Sequence, residues 1–236
     1  MNNSITIFTP TFNRAHLLKK LYDSILLQKS NNFEWLIVDD GSTDDTETVV
    51  NKFIEEKKIN IRYYKKTNGG KHSAINFGLQ NTQNSLFFII DSDDVLTENA
   101  VEIINNKWEE IKNKEKICGI IGLSGYQNGK IVGDYFLEDD WQVSFSDVYL
   151  KYNLKGDKSV AFKTEVLQQY PFPEKQGVRF VFEAVVWHEM SKKYKVLAIN
   201  EVIQKKEYLQ DGLTDSSYKK WYVNALAFSY FQLIKN

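Results

Sequence analysis

The run Leu86-Phe87-Phe88-Ile89-Ile90-Asp91-Ser92-Asp93-Asp94 organises the reading of the whole chain. Its apolar half has no polar alternation, so it reads as a strand covered on both faces, in the middle of a largely parallel sheet. Three carboxylates follow at its carboxyl end, the edge where open α/β sheets bind ligands. In an extended chain, positions i and i+2 share a face, so Asp91 and Asp93 are expected to project together. No histidine or cysteine stands nearby in sequence, so every ligand atom would be oxygen. Such a set suits a hard octahedral ion, Mn2+ or Mg2+, that also takes phosphate oxygens. The competing use of these acids is a helix cap or an Asx turn, but one acid suffices for that.

Working outward, strand and helix patterns alternate through the first half, which argues for a βα-built sheet. Ser4 to Thr9 is a short β-branched strand, followed by a helix over about 14–28 with Leu17, Leu18, Leu21, Ile25 and Leu26 at helical spacing. Trp35-Leu36-Ile37-Val38 is a second strand and residues 43–57 a helix, with Ser42 and Asp45 spaced as a capping box. Ile61 to Tyr64 is a third strand, with a helix after Gly69-Gly70 to Gln80 and another over 98–112. The second half is less regular: a buried strand over Cys118 to Leu123, a turn at Asn128-Gly129, short helices over 144–152 and 164–169, a helix over 183–193 and a strand over 195–199. The expected division is one domain over 1–236, with a donor half to 115, an acceptor half over 116–217 and a C-terminal helix over 218–236.

The residues after each strand bear on function. Thr9-Pro10-Thr11-Phe12-Asn13-Arg14 follows the first, Asp39-Asp40-Gly41-Ser42 the second and Asn68-Gly69-Gly70-Lys71-His72 the third. Asp39 and Asp40 read equally well as a turn or as acceptors for an imide N–H such as that of uracil. The amides at Gly69 and Gly70 could approach an anion, and Lys71 could meet a diphosphate as a point charge. Five carboxylates on one edge repel unless cations or hydrogen-bond donors sit among them. No Walker loop or GxGxxG follows any strand, which counts against nucleotide hydrolysis and dinucleotide binding.

Composition narrows the classes. A formal net charge of −1 gives no field for nucleic acid or an anionic membrane. The single Cys118, set in Ile117-Cys118-Gly119-Ile120-Ile121, reads as an inert core thiol. Without a charged leader or an apolar run long enough to span a bilayer, the expected location is cytoplasmic.

Taken in order, Thr9-Pro10-Thr11-Phe12-Asn13-Arg14, Val38-Asp39-Asp40-Gly41-Ser42, Asn68-Gly69-Gly70 and Ile90-Asp91-Ser92-Asp93-Asp94 resemble the family 2 glycosyltransferases of the GT-A fold over residues 4–115. The resemblance implies an inverting transfer of one sugar from a nucleotide diphosphate donor, UDP-linked by preference, to a glycan or lipid-linked acceptor. It implies that Thr9, Pro10 and Asp39 hold the base, with Thr11, Asn13 and Asp40 close by. Gly70, Lys71 and Ser92 join the donor site, Asp91 meets ribose or sugar, and Asp93, with Asp91, meets the metal. The base is expected to be an acid opening a helix in the second half, here Glu183, with Asp139, Asp140, Asp157 and Asp211 as rivals. Many relatives place a histidine near Tyr208 to Thr214, where this chain has none. Processive synthases carry spanning helices and a QxxRW-type element; neither is present. Two other readings stay open: a sugar-phosphate nucleotidyltransferase, although Thr9 to Arg14 lacks that class's glycine-rich loop, and a catalytically silent nucleotide-sugar-binding module. The aromatic segment from Trp221 to Ile234 is read as packing on the core, on a second subunit in a homodimer, or on the inner face of a membrane.

Overall fold

The computed structural model describes residues 5–206. Its strands are β1 (Ile5–Thr11), β2 (Phe33–Asp39), β3 (Ile61–Lys65), β4 (Leu86–Ile89), β5 (Val95–Leu96), β6 (Ile117–Tyr126), β7 (Trp141–Val143), β8 (Lys158–Lys163) and β9 (Lys195–Lys206). Its helices are α1 (Ala15–Leu26), α2 (Thr46–Glu55), α3 (Lys71–Gln80), α4 (Ala100–Ile111), α5 (Phe145–Leu150), α6 (Thr164–Leu167) and α7 (Glu183–Ser191). The strands form one sheet in the order β3-β2-β1-β4-β8-β6-β9-β5, with β7 paired on β9. Pairing is parallel from β3 through β4 and again between β6 and β9. Both halves of the chain therefore share one α/β sheet.

Period-two alternation sorts the core into two layers. Ile5 and Ile7 of β1, with Trp35 and Ile37 of β2, pack on Leu18, Leu21, Tyr22 and Ile25 of α1 and on Val50 and Phe53 of α2. Phe8, Leu36 and Val38 point the other way, onto Ala74, Ile75 and Leu79 of α3. Tyr22 stacks on Phe53 at 4.1 Å and on Trp35 at 6.0 Å, which pins α1 and α2 to the sheet. β4 carries Leu86 and Phe88 into the first layer and Phe87 into the second, as a central strand must.

Several elements differ from their sequence expectation. The box at Ser42 and Asp45 does not form: Ser42 Oγ accepts from the Asn13 amide, and Asp44 Oδ1 accepts from Thr46 N. The turn at Asn128-Gly129 is present, with Gly129 N donating to Tyr126 O, but the returning chain makes only an isolated bridge between Gly125 and Ile131. The strand expected over 195–199 runs on to Lys206 and receives β5 and β7, which sequence reading passed over. Strand β8 was also missed, although Val160-Ala161-Phe162 is a β-branched and aromatic run. It lies antiparallel between β4 and β6 and joins the two halves of the sheet. Residues 207–236, including Tyr208 to Thr214, Asp211 and the expected C-terminal helix, lie outside the described residues. Among the described residues no helix is long and apolar enough to cross a membrane.

Two outcomes follow from this core. Phe162 is 1% exposed and its ring lies 4.4 Å from that of Trp187 on α7. Phe162→Ala should cost about 3–5 kcal/mol in urea unfolding, because the joining strand loses its anchor to the helix layer. Cys118 is buried and its thiol is pushed up to about 12 by that burial. It should resist a thiol reagent in native protein and react at once on denaturation.

Candidate active site

The carboxyl ends of β1, β2, β3 and β4 meet at one edge, and side chains tie each loop to the next. After β1, Asn13 adopts φ 52° and its Oδ1 accepts from Thr43 N at 2.8 Å. Asp44 Oδ2 accepts from Ala15 N at 3.0 Å and Ser42 Oγ from Asn13 N at 2.8 Å, so the loops after β1 and β2 are stitched together at three points. Asp39 is fully buried: Oδ1 accepts from Ser42 N at 2.7 Å and Oδ2 from the Tyr63 hydroxyl at 2.7 Å. Burial, with the Asp39 carboxylate beside it, raises the Tyr63 pKa.

Asp40 has a different task. Its Oδ1 accepts from Lys66 Nζ and Gly69 N, both at 2.9 Å, and its Oδ2 from Gly70 N at 2.6 Å. The anion received by the Gly69 and Gly70 amides is thus a carboxylate of the protein itself. Gly70 has φ 94°, and a Cβ there would stand 2.0 Å from the Arg179 carbonyl oxygen. Only glycine permits this approach, which brings the segment before α7 down onto the start of α3. Asn76, one turn along α3, holds the same segment by exchanging two hydrogen bonds with the Phe172 backbone, at 2.8 Å each. Nothing in the Asn-Gly-Gly pattern revealed that contact.

Lys71 opens α3 and reaches across the edge. Its Nζ lies 2.5 Å from Asp91 Oδ1 and 2.8 Å from Glu183 Oε1. The expected diphosphate partner is therefore replaced, in the protein alone, by two carboxylates. Burial alone would lower the Lys71 pKa, but Asp91 and Glu183 outweigh it and raise it. Burial likewise would lift Asp91, and the charges of Lys71 and then Lys206 more than offset it, holding that carboxyl low. Glu183 is the first residue of α7, and among the described residues its Oε1 is buried without a directed hydrogen bond and rests on the lysine's charge.

The acidic run after β4 is a turn, not an extended chain: Asp94 N donates to Asp91 O at 3.1 Å. The i, i+2 argument from sequence therefore does not apply. The turn instead gathers Asp91, Asp93 and Asp94 so that an oxygen from each lies within 4.8 Å of the others. Asp94 is engaged by Gln204 Nε2 and, at 3.2 Å, by Lys206 Nζ, both near the end of β9. Ser92, within the turn, is buried. Among the described residues Asp93 has no side-chain or ion-pair partner; burial first, and repulsion from Asp91 second, raise its pKa. The acids fit a divalent ion by this test: all-oxygen donors at close range, one of them uncompensated. Lys206 and Gln204 escaped sequence reading because the last strand was expected to stop short of them.

Not every expected donor residue faces outward. Thr9 shares the face of Ile5 and Ile7, is fully buried, and accepts from Trp35 Nε1 at 3.0 Å. Alternation assigns its hydroxyl to the core and not to a ligand. Pro10 is also buried, whereas the buried Thr11 hydroxyl at the strand end has no partner. Of Glu183's described rivals, Asp139 accepts from Asn200 N and Asp140 pairs with Lys107 on α4, whereas Asp157 is exposed and lies 3.7 Å from Lys206, beside the acidic turn.

Asp94 gives this edge a pH dependence. Burial raises its carboxyl, Lys206 opposes that, and Asp91 and Asp93 reinforce it, leaving it at about 7 against 3.8 in an open chain. A raised carboxyl stabilises the fold when protonated: its contribution is complete below the open-chain value and lost as pH rises through about 7. In EDTA, urea midpoints should fall as pH rises from about 5 to about 8, and Asp94→Asn should flatten that fall.

Residues 6–155 match the family described as Glycosyl transferase family 2. An uncharacterized glycosyltransferase of Rickettsia typhi, RT0329, is 32% identical over 142 residues, which is 59% of this chain and 42% of that protein. The poly(ribitol-phosphate) beta-N-acetylglucosaminyltransferase TarP of Staphylococcus aureus is 34% identical over 125 residues, or 51% of this chain and 37% of TarP. The chain thus spans less than half the length of these relatives. The S. aureus TarS 1-349 structure with UDP-GlcNAc superposes with a TM-score of 0.72 at 21% identity, covering 90% of this chain and 60% of that one. With well over half its length matched, and with the GT-A sheet and its acidic edge in place, this chain belongs to the family 2 glycosyltransferases.

Proposed function

We propose that this protein is a metal-dependent, inverting glycosyltransferase that moves one sugar from a nucleotide diphosphate donor to a hydroxyl of a glycan or lipid-linked acceptor. The observation that carries the reading is the lone Asp93 carboxylate, in a turn that Lys71 connects directly to Glu183. An acidic cluster and a separate carboxylate at a helix start are the two parts that sugar transfer to a hydroxyl requires: charge stabilisation at the leaving group and a base at the nucleophile.

Asp93 and Asp91 would hold Mn2+ or Mg2+, which when bound supplies positive charge against the leaving diphosphate. Glu183 removes the proton from the acceptor hydroxyl as that oxygen bonds to the anomeric carbon. The sugar–phosphate bond breaks on the opposite side, so configuration inverts. Asp40 acts by fixing the Gly69-Gly70 backbone, on which Lys71 depends. Asn13 and the unpartnered Thr11 hydroxyl are offered to the nucleotide, and Asp39 holds the Ser42 loop beside them. UDP is the proposed carrier because TarS, of the same fold, carries UDP-GlcNAc in its structure. Residues 1–115 would form the donor half and 116–217 the acceptor half of one domain.

The test is a nucleotide-release screen over UDP-, GDP- and dTDP-sugars with candidate acceptors, in Mn2+ or EDTA. Turnover of a UDP-sugar is expected, abolished by EDTA and by Asp93→Ala. Glu183→Gln should lower kcat by about 10²–10⁴ while donor binding persists. Donor binding without turnover for any acceptor identifies a silent module instead, and full activity in Glu183→Gln removes that residue from the mechanism.

A further inference from the structure

Lys71 stands where two functions meet. Its backbone is fixed from both sides: Gly70 N is held by Asp40, and the Arg179 carbonyl presses on Gly70 so closely that no Cβ fits. Its side chain is about one quarter exposed, and its ammonium bridges an acid after β4 and an acid opening α7. A lysine so placed is not a loose surface pair, whose worth screening would erase. Two carboxylates already contact the ammonium, which leaves one of its three N–H donors for any further partner.

We propose that Lys71 is a positioning residue that couples the acidic turn to Glu183, because its single charge is shared between Asp91 and Glu183. The proposal rests on the reading of the acidic turn as a cation site and of Glu183 as the base. A divalent ion on Asp91 and Asp93 competes with the ammonium for Asp91 and repels it, which leaves Glu183 as its partner. Loading of the acidic turn thereby strengthens the hold on Glu183 at the moment the donor site is filled. Linkage requires the converse: whatever Glu183 draws from the lysine eases cation binding at Asp91.

The experiment needs neither donor nor turnover. Mn2+ binding to the full chain is followed by the EPR signal of free Mn2+ for wild type, Lys71→Met, Lys71→Arg, Glu183→Gln and the Lys71→Met/Glu183→Gln pair. Lys71→Met should tighten Mn2+ binding about fivefold or more, the scale of ordinary site-to-site coupling, while Lys71→Arg stays near wild type. Glu183→Gln should weaken Mn2+ binding when Lys71 is present, since the ammonium then falls to Asp91 alone, and should weaken it less in the Lys71→Met background. Equal or weaker Mn2+ binding by folded Lys71→Met overturns the proposal, as does an identical effect of Glu183→Gln in both backgrounds. Should Lys71→Met fail to fold, Glu183→Gln alone decides: unchanged Mn2+ affinity overturns the coupling. These outcomes are separate from the transfer reading, which stands or falls on nucleotide release.

Discussion

Like charges crowded on one edge of a sheet repel, and this edge carries Asp39, Asp40, Asp91, Asp93 and Asp94. Its architecture is largely the set of answers to that repulsion. Asp39 is satisfied by an amide and a phenol, Asp40 by two amides and Lys66, Asp91 by Lys71, and Asp94 by Gln204 and Lys206. The partners come from the loop after β2, from β3 and the loop that follows it, from α3 and from β9, so neutralising the acids also fixes these elements relative to one another. Removing one partner leaves a buried carboxylate uncompensated, which costs more than the contact itself contributes.

The arrangement divides the acids into engaged and open groups. Asp39 and Asp40 have both oxygens engaged by protein donors and hold backbone in place, and Asp94 has its Oδ2 engaged by two side chains of β9. Among the described residues Asp93 has no such partner, and Glu183 rests on a charge without a directed bond. Groups left incompletely satisfied in a partly buried site are those able to take up a cation or a proton. Four residues that attract no attention in the sequence supply the scaffolding: Lys66, Asn76, Gln204 and Lys206.

Much of the fold was legible in residue order. The apolar run at Leu86 to Ile90, the β-branched strand before Thr9 and the heptad-like leucines of α1 each carry their own periodicity, and the helices and strands of the first half lie where that periodicity puts them. The rest was less legible: β5, in the first half, and β7, in the second, are too short for a period to register, and β8 follows an irregular loop.

Residue order also located the acids at strand ends and an acid at a helix start, because both follow from local pattern and from the rule that ligands gather beyond carboxyl ends. Which acids are engaged and which are left open was not contained in that pattern. Thr9 and Asp39 look alike as polar residues near strand ends, yet alternation and a distant Trp35 or Tyr63 take their side chains inward. The pairing of Lys71 with Glu183 joins positions more than a hundred residues apart, and the glycine that allows it does so through a carbonyl at Arg179. Local sequence sets backbone preference and hydrophobic phase, whereas the partner of a charge is set by whatever the folded chain brings within about 3 Å of it.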